Sequence, residues 1–291
     1  KTKQGAPFSA RLVGADGKKI NRLDIGTGGE AEAFKAGLEK ADFNVVSVES
    51  KPAKRHPYPP FTTSTLQQEA SRKLGFAPAR TMQVAQRLYE DGIITYMRTD
   101  GVDMAPEAIA GARRVIEQEF GGKYLPDVPR KYSAKAKNAQ EAHEAVRPTD
   151  LGRLPKVFAR SAENDEQARL YDLIWTRTIA SQMESAELER TSVDIAATIN
   201  GGAYKQIDLR ATGQVVRFDG FLTLYQEGRD DDEDEDANRL PPMAQGDRLS
   251  KERIEATQHF TEPPPRFTEA TLVKRMEELG IGRPSTYAST L

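Results

Sequence analysis

The clearest candidates for catalytic side chains in this 291-residue chain are Tyr96 and Arg98, which lie two positions apart in an apolar run. In an extended chain, residues i and i+2 point to the same face, so these side chains should share a surface while Thr95, Met97 and Thr99 face the other way. A phenol beside a guanidinium could be a nucleophile next to a phosphate-binding group. A tyrosine in an apolar run is also typical of a half-buried strand residue, so the pair alone leaves both interpretations open.

A second candidate cluster lies at residues 138–148, which the sequence predicts to be helical. His143 and Arg147 are four residues apart and would be neighbours on one helix face, with Glu144 to the side. Adjacent His and Glu suggest a zinc protease motif, but the second histidine of that motif is missing, so this interpretation is rejected. A His/Arg pair on one face could bind phosphate, and a solvated, charged helix end is the alternative.

Two helices should flank the candidate tyrosine. One is predicted from Ser64, which would form a capping box with Gln67, to Gly75. The next begins at Pro78 and ends at Gly92, directly before the apolar run, and a third helix follows. The side chains expected to face the core of the first two helices are Leu66, Ala70, Leu74, Met82, Ala85, Leu88 and Tyr89. The tyrosine would therefore lie on a short, ordered connector.

Alternation with period two on both sides of the helical part predicts β-structure. We expect a hairpin over 8–20, a strand over 43–48 and two strands over 193–199 and 207–211, with another strand or two over 215–225. The helical part would then be an insertion between two halves of one β-rich domain. The predicted fold class is therefore α+β.

The C-terminal stretch predicts a helix, a tight turn and a second helix. The first would run from Thr268 to Gly280, and the second would have Pro284 near its first position. The side chains expected to face inward are Leu272, Val273, Met276 and Leu279. Free backbone N–H groups at the start of the second helix favour phosphate. Because the sequence starts at Lys1 and stops within this helix, we expect it to be part of a longer protein.

Composition and charge exclude several classes of site. The chain has no cysteine, which excludes disulfides, thiolate zinc sites and cysteine catalysis and fits a reducing cytoplasm. No apolar run reaches about 18 residues, so no membrane span is expected. The net charge is −2, but residues 51–149 carry 16 Lys and Arg against 11 Asp and Glu, a local excess that suits a phosphate-binding surface. The acidic run from Asp230 to Asp236 lacks the spacing of a calcium loop and is expected to be solvated.

Three separated strings of residues resemble one protein family. They are Tyr-Glu-Asp-Gly-Ile-Ile-Thr-Tyr-Met-Arg-Thr-Asp at 89–100, Gln-Glu-Ala-His-Glu-Ala-Val-Arg-Pro-Thr at 140–149, and Arg-Phe-Thr-Glu-Ala-Thr-Leu-Val-Lys with Gly-Ile-Gly-Arg-Pro-Ser-Thr-Tyr at 266–274 and 280–287. Together with Phe-Thr-Thr-Ser-Thr-Leu-Gln-Gln at 61–68, they make essentially the whole chain similar to bacterial type IA DNA topoisomerase I.

The resemblance implies roles for particular residues. Tyr96 would attack a phosphodiester of single-stranded DNA and form a 5′-phosphotyrosine, leaving a free 3′-hydroxyl. Arg98 would favour the phenolate and neutralise charge on the phosphate oxygens, and His143 would donate to the phosphate near the break. The residues expected to bind DNA are Arg98, His143, Arg147, Arg266, Arg283, Ser285 and Thr286.

The same resemblance implies an activity and its partners. The parent protein would relax negatively supercoiled DNA by strand passage and religation, as a monomer associated with the nucleoid in the cytoplasm. No ATP would be needed because the phosphotyrosine ester keeps the bond energy, and the sequence contains no P-loop. The family's Toprim domain, which carries a catalytic glutamate and an acidic Mg²⁺ site, has no counterpart here, and cysteine zinc ribbons are absent too. Mg²⁺ is thus expected in the parent protein, with no metal ligand in this chain.

The resemblance also predicts four parts. Residues 1–60 and 187–262 would be the halves of a β-rich arch domain, residues 61–186 the helical domain with the tyrosine, and residues 263–291 the start of a helical DNA-binding domain. Without the acid and the metal, this chain alone is expected to be inactive. The alternatives are a single-stranded DNA-binding module without catalysis and a helix-turn-helix regulator built on residues 268–291, which would leave Tyr96 unexplained.

Overall fold

The computed structural model describes residues 1–21, 23–133, 144–228 and 239–291. These residues divide into two compact units. The β-rich unit contains the described residues within Lys1–Lys54, Glu187–Arg217 and Glu233–Pro264. The helical unit contains those within Arg55–Ala186, Phe218–Asp232 and Pro265–Leu291. The fold class is α+β, as predicted, and the helical unit is inserted between segments that form one sheet.

The sheet has six strands in the order β2-β1-β5-β4-β3-β6. The strands are β1 Arg11–Ala15, β2 Lys18–Lys19, β3 Asp42–Arg55, β4 Ala186–Thr198, β5 Gln206–Phe218 and β6 Arg248–Leu249. β1 pairs antiparallel with both β2 and β5, and β3 pairs antiparallel with β6. The predicted hairpin near the N-terminus is confirmed, and its turn places Asp16 and Gly17 at φ of 47° and 77°.

One helix, α1 (Gly28–Glu39), completes the core of the β-rich unit. A capping box between Thr27 and Glu30 starts this helix. Its Phe34 and Leu38 are buried with the inward residues of the long strands. The predicted alternation is confirmed, since the buried residues of β4, β5 and the adjoining turn include Val193, Ile195, Ala197, Ile199, Ile207, Leu209 and Ala211. Period two is what one-sided burial of a strand requires.

The prediction of further strands over 215–225 was wrong. β5 itself continues to Phe218, and the chain then forms a 3₁₀ turn at Gly220–Thr223. Gly220 has a φ of 48°, and a Cβ there would lie 2.6 Å from the backbone of Glu184 and Ser185. Glycine therefore permits a close backbone contact at which the strand ends.

The helical unit contains seven α-helices in its described part. They are α2 Thr63–Leu74, α3 Pro78–Glu90, α4 Pro106–Phe120, α5 Pro155–Phe158, α6 Asp165–Ser181, α7 Glu269–Leu279 and α8 Tyr287–Thr290. Their shared core includes Leu66, Leu88, Ile116, Leu170 and Ile174. The single tryptophan, Trp175, is buried there, and its indole N–H donates to Leu151 O at 2.9 Å.

Several helix ends differ from the prediction. The capping box of α2 joins Thr62 to Thr65 rather than Ser64 to Gln67, because the chain is still extended at Thr62 (φ −89°, ψ 172°). Gly75 ends α2 in the left-handed conformation, as predicted.

The predicted C-terminal helix pair is only partly correct. α7 does run from its Thr268 cap to Gly280, but Leu279 is exposed rather than inward. α8 begins at Tyr287, not near Pro284, because an Arg283–Thr286 turn precedes it. No described helix is long and apolar enough to cross a membrane.

The predicted helix over 138–148 was wrong for the part that the structure describes. Residues 144–148 are extended. Val146 forms a bridge with Phe61, and Pro148 forms a bridge with Ile94. These non-local bonds compete with a helix, and a proline at position 148 could not have donated within one.

Candidate active site around Tyr96

The segment that carries Tyr96 leaves the end of α3 through a tight turn. Gly92 has a φ of 69°, which a residue with a side chain would rarely adopt. The Ile93 amide donates to Leu88 O at 2.8 Å, so the chain folds back against the last turn of the helix. Ile94 is buried where it bridges to Pro148. The approach to Tyr96 is therefore fixed by a helix end and by an apolar contact.

Thr95 anchors the residue before the tyrosine to the extended segment 144–148. Its amide donates to Arg147 O at 2.9 Å. Its hydroxyl donates to Ala145 O at 2.7 Å and accepts from the Arg147 amide at 3.0 Å. Three hydrogen bonds to one backbone stretch leave this residue little freedom.

Thr63, the first residue of α2, anchors the chain just after the tyrosine. Its amide donates to Thr99 O at 2.9 Å, and its hydroxyl accepts from the Thr99 amide at 2.8 Å. The same hydroxyl lies 2.7 Å from Met97 O, to which it donates. Thr63, Met97 and Thr99 are all buried, so water does not compete for these bonds. Tyr96 thus lies between two anchored points.

The predicted division of faces is seen in the structure. Met97 and Thr99 are buried, whereas Tyr96 and Arg98 are exposed on the opposite side. The segment is an isolated bridge followed by bends rather than a regular strand. No described residue forms an ion pair or hydrogen bond with the Arg98 guanidinium. Its donors are therefore available to a bound anion.

Among the residues that the structure describes, the Tyr96 ring has one aromatic neighbour. Tyr89, the penultimate residue of α3, meets it edge to face, with centroids 5.2 Å apart and an interplanar angle of 64°. The prediction that Tyr89 faces the core was wrong, because this residue, like Tyr96, is 41% exposed. Edge-to-face contact orients the phenol without burying its hydroxyl.

Other phenols in the helical unit are less suited to nucleophilic attack. Burial raises the pKa of the Tyr132 phenol to about 12 and also raises the pKa of Tyr171. The Tyr132 hydroxyl donates to Ser181 O, and the Tyr171 hydroxyl donates to Arg153 O. Their protons are committed to structural bonds, whereas the Tyr96 ring is open to solvent.

The Arg147 guanidinium is engaged within the protein. It donates to the Glu144 carboxylate from Nε at 3.1 Å and from Nη2 at 2.5 Å, and Nη1 donates to Pro148 O at 2.9 Å. Glu144 also accepts from the Ala105 amide. Contact of Arg147 with DNA stays a prediction. In this structure its guanidinium braces the extended segment 144–148, and Glu144 joins that segment to the residue before α4. His143 lies outside the described residues.

The C-terminal candidates lie around the turn before α8. Arg283, Ser285 and Thr286 are exposed, and the Arg283 amide donates to Thr286 Oγ1 at 2.9 Å. Burial raises the pKa of the Tyr287 phenol, the charges of Glu277 and Asp100 raise it further, and the charge of Arg283 opposes the shift. α8 lies beside α3, the helix that leads into the Tyr96 segment. Arg266 is exposed before α7.

The described residues contain no group of three or more His, Asp or Glu side chains placed to hold a metal ion. The acidic run from Asp230 to Asp236 lies outside them. Sequence reasoning also missed the anchoring roles of Thr63, Thr95 and Thr99. The only local signal was the threonine content of the two segments, because their partners are far apart in sequence.

Comparisons with known proteins identify relatives over the whole length of the chain. Residues 3–291 match the family model described as DNA topoisomerase. The chain is 55% identical over 289 residues to DNA topoisomerase 1 of Zymomonas mobilis and 46% identical over 292 residues to that of Rickettsia bellii, covering 98% of this chain in each case. It spans only 23% and 36% of the lengths of those proteins. Full-length topoisomerase I from Thermotoga maritima matches with a TM-score of 0.73 and 34% identity, over 95% of this chain and 43% of that one.

Proposed function

Because the chain belongs to the bacterial type IA DNA topoisomerase family, we propose that Tyr96 forms a transient covalent bond with single-stranded DNA. The phenolic oxygen attacks a backbone phosphorus, and the bond from phosphorus to the 3′ oxygen breaks. The products are a 5′-phosphotyrosine and a free 3′-hydroxyl, which reseals the strand by the reverse attack. Because the ester conserves the bond energy, the whole protein would relax negatively supercoiled DNA without ATP.

The placement of Tyr96 is the observation that carries this proposal. Its ring is exposed, while the residues on either side are anchored by hydrogen bonds from Thr95 and Thr63. A nucleophile must be held close to its attack geometry, and a fixed backbone with an accessible side chain provides this. An ordinary packed strand tyrosine would need neither anchor nor exposure.

Arg98 is proposed to bind the scissile phosphate. It is exposed on the same side as Tyr96 and has no partner in the described part of the chain. A nearby guanidinium favours the phenolate and stabilises negative charge on the phosphate oxygens in the transition state. Further DNA contacts are proposed at Arg283, Ser285 and Thr286 around the turn before α8, and at Arg266 and His143.

The reaction also needs groups that these residues do not provide. The departing 3′ oxygen must take up a proton, and the family resemblance implies a glutamic acid of a Toprim domain for that role. A carboxylate cluster suited to Mg²⁺ is not found in the described residues, so we derive no step through the ion. This chain alone is therefore proposed to bind single-stranded DNA without turnover.

A cleavage assay on single-stranded DNA tests the proposal. A labelled oligonucleotide is incubated with this chain, with and without the Toprim domain of the parent protein and Mg²⁺, and covalent adducts are separated under denaturing conditions. We expect an adduct labelled through the 5′ phosphate only when that domain is present. An adduct formed by the isolated chain would contradict the proposed inactivity.

Tyr89→Phe provides a matched control for Tyr96→Phe, since it removes a hydroxyl from the adjacent ring and keeps the edge-to-face contact. We expect Tyr96→Phe to abolish the adduct and Tyr89→Phe to retain it. An adduct formed by Tyr96→Phe would remove Tyr96 from the proposed role, and loss of the adduct in both variants would show that the Tyr89 hydroxyl is needed as well. If oligonucleotide binding persists with no adduct under any condition, the chain is a single-stranded DNA-binding module.

A further inference from the structure

A groove of about 560 Å³ lies along the exposed side of α4, opposite residues 125–131. Ile109, Arg113 and Glu117 lie one helical turn apart and line one wall. Leu125 and Lys131 line the other wall. The volume falls in the range of small-molecule pockets, and none of these residues belongs to the Tyr96 segment or its anchors.

The charges of this groove are unbalanced. Arg113, Arg114 and Lys131 line it with one acidic residue, Glu117. No described residue forms an ion pair with any of these three cations, and Glu117 lies beyond ion-pair distance from them. Arg114 and Lys131 are exposed to water, whereas the Arg113 side chain is partly buried, and a partly buried cation without a partner is costly beside apolar walls. An anionic ligand would meet both positive charge and apolar surface.

Of the three cations, Arg113 has the least satisfied hydrogen-bonding groups. Its Nη1 is buried and has no hydrogen-bond partner. A buried N–H of a cation without an acceptor has lost its hydrogen bonds to water and gained none in the protein. The other guanidinium N–H groups of Arg113 are not buried in this way and make no bond within the described residues, so a carboxylate in the groove would pair with them and compensate the poorly solvated charge.

We propose that the groove between α4 and residues 125–131 binds a small amphipathic anion, whose carboxylate or similar group pairs with the Arg113 guanidinium. Its apolar body would lie between Ile109 and Leu125. Bare nucleic acid fits less well, because the sugar-phosphate backbone offers little apolar surface to these walls. This site is separate from the proposed chemistry at Tyr96.

Calorimetric titration of the chain with decanoate tests this site, with decanol as the uncharged molecule of equal chain length and hexanoate as the shorter anion. We expect one decanoate per chain, bound at least tenfold more tightly than decanol and more tightly than hexanoate. Absence of saturable binding, or equal affinity for decanol, would overturn the proposal.

Arg113→Met keeps the aliphatic stem and removes the charge, and it should abolish the preference for decanoate over decanol. Arg160→Met alters an exposed arginine outside the groove and should leave that preference unchanged. Because Arg113→Met removes an unpartnered donor, its thermal midpoint should not fall, which separates lost binding from lost folding. Unchanged binding in Arg113→Met would overturn the assignment. A thymidine decamer serves as a competitor. If it displaces decanoate and also binds Arg113→Met more weakly than the unmodified chain, the groove is part of the DNA-binding surface and the assignment is overturned.

Discussion

Replacement of Thr63 by valine gives the sharpest test of how Tyr96 is held. Valine is close to threonine in shape, so the packing at this fully buried position is kept while the hydroxyl is lost. That hydroxyl donates to Met97 O at 2.7 Å and accepts from the Thr99 amide at 2.8 Å. The variant leaves a buried carbonyl and a buried amide without these partners.

The expected cost follows from the two orphaned groups. Each buried polar group that loses its partner costs about 1–3 kcal/mol, and partial relaxation reduces the sum. We therefore expect Thr63→Val to lower the free energy of unfolding by about 2–4 kcal/mol. Because both orphaned groups flank Tyr96 and Arg98, DNA cleavage in the presence of the Toprim domain should fall as well, even at temperatures where the variant is folded.

Thr178→Val is a matched control. Thr178 is also fully buried, but its hydroxyl donates only to Ile174 O, a carbonyl that the helix already satisfies. It should cost less than about 1 kcal/mol and leave cleavage unchanged. Urea unfolding followed by circular dichroism measures both variants. A difference below about 0.5 kcal/mol between them, or normal cleavage by folded Thr63→Val, would refute the anchoring role.

Three further predictions address single side chains. Gln67 is fully buried, and neither atom of its side-chain amide has a hydrogen-bond partner among the described residues. Gln67→Met should therefore leave the free energy of unfolding unchanged or raise it by about 1 kcal/mol. A decrease of more than about 1 kcal/mol would contradict the absence of a hydrogen bond at this side chain. Arg98→Lys keeps the positive charge but loses the planar, two-pronged hydrogen-bond donor of arginine. With the Toprim domain present, DNA cleavage should fall about 10- to 100-fold while thermal stability stays unchanged. Equal cleavage by the variant would contradict a bidentate contact with phosphate. The hydrogen bond from Arg210 holds the pKa of Asp194 below its usual value, so the ionised carboxylate stabilises the fold above about pH 4 and this stabilisation is lost as pH falls through the lowered pKa. Asp194→Asn should reduce the dependence of the urea unfolding midpoint on pH in this range. The change in unfolding free energy should be well under 1 kcal/mol because the pair is exposed.

The local pattern of the sequence determined much of the architecture. Alternation in β4 and β5 predicted which strand residues are buried, and the same reasoning placed Tyr96 and Arg98 on one exposed face opposite Met97. Gly75 and Gly280 ended their helices as predicted, because a left-handed cap depends on the residue itself and its immediate neighbours. Such features need only interactions within a few residues.

Tertiary structure decided the features that depend on distant partners. Residues 144–148 are extended because Phe61 and Ile94 offer bridges that no local helix could match. Tyr89 is exposed and meets the Tyr96 ring, although the preceding residue, Leu88, is fully buried in the core. The anchors of the Tyr96 segment join residues 34 to 52 positions apart. Sequence alone therefore singled out Tyr96 and Arg98 as candidate site residues, whereas only the assembled fold determined how the backbone around them is held.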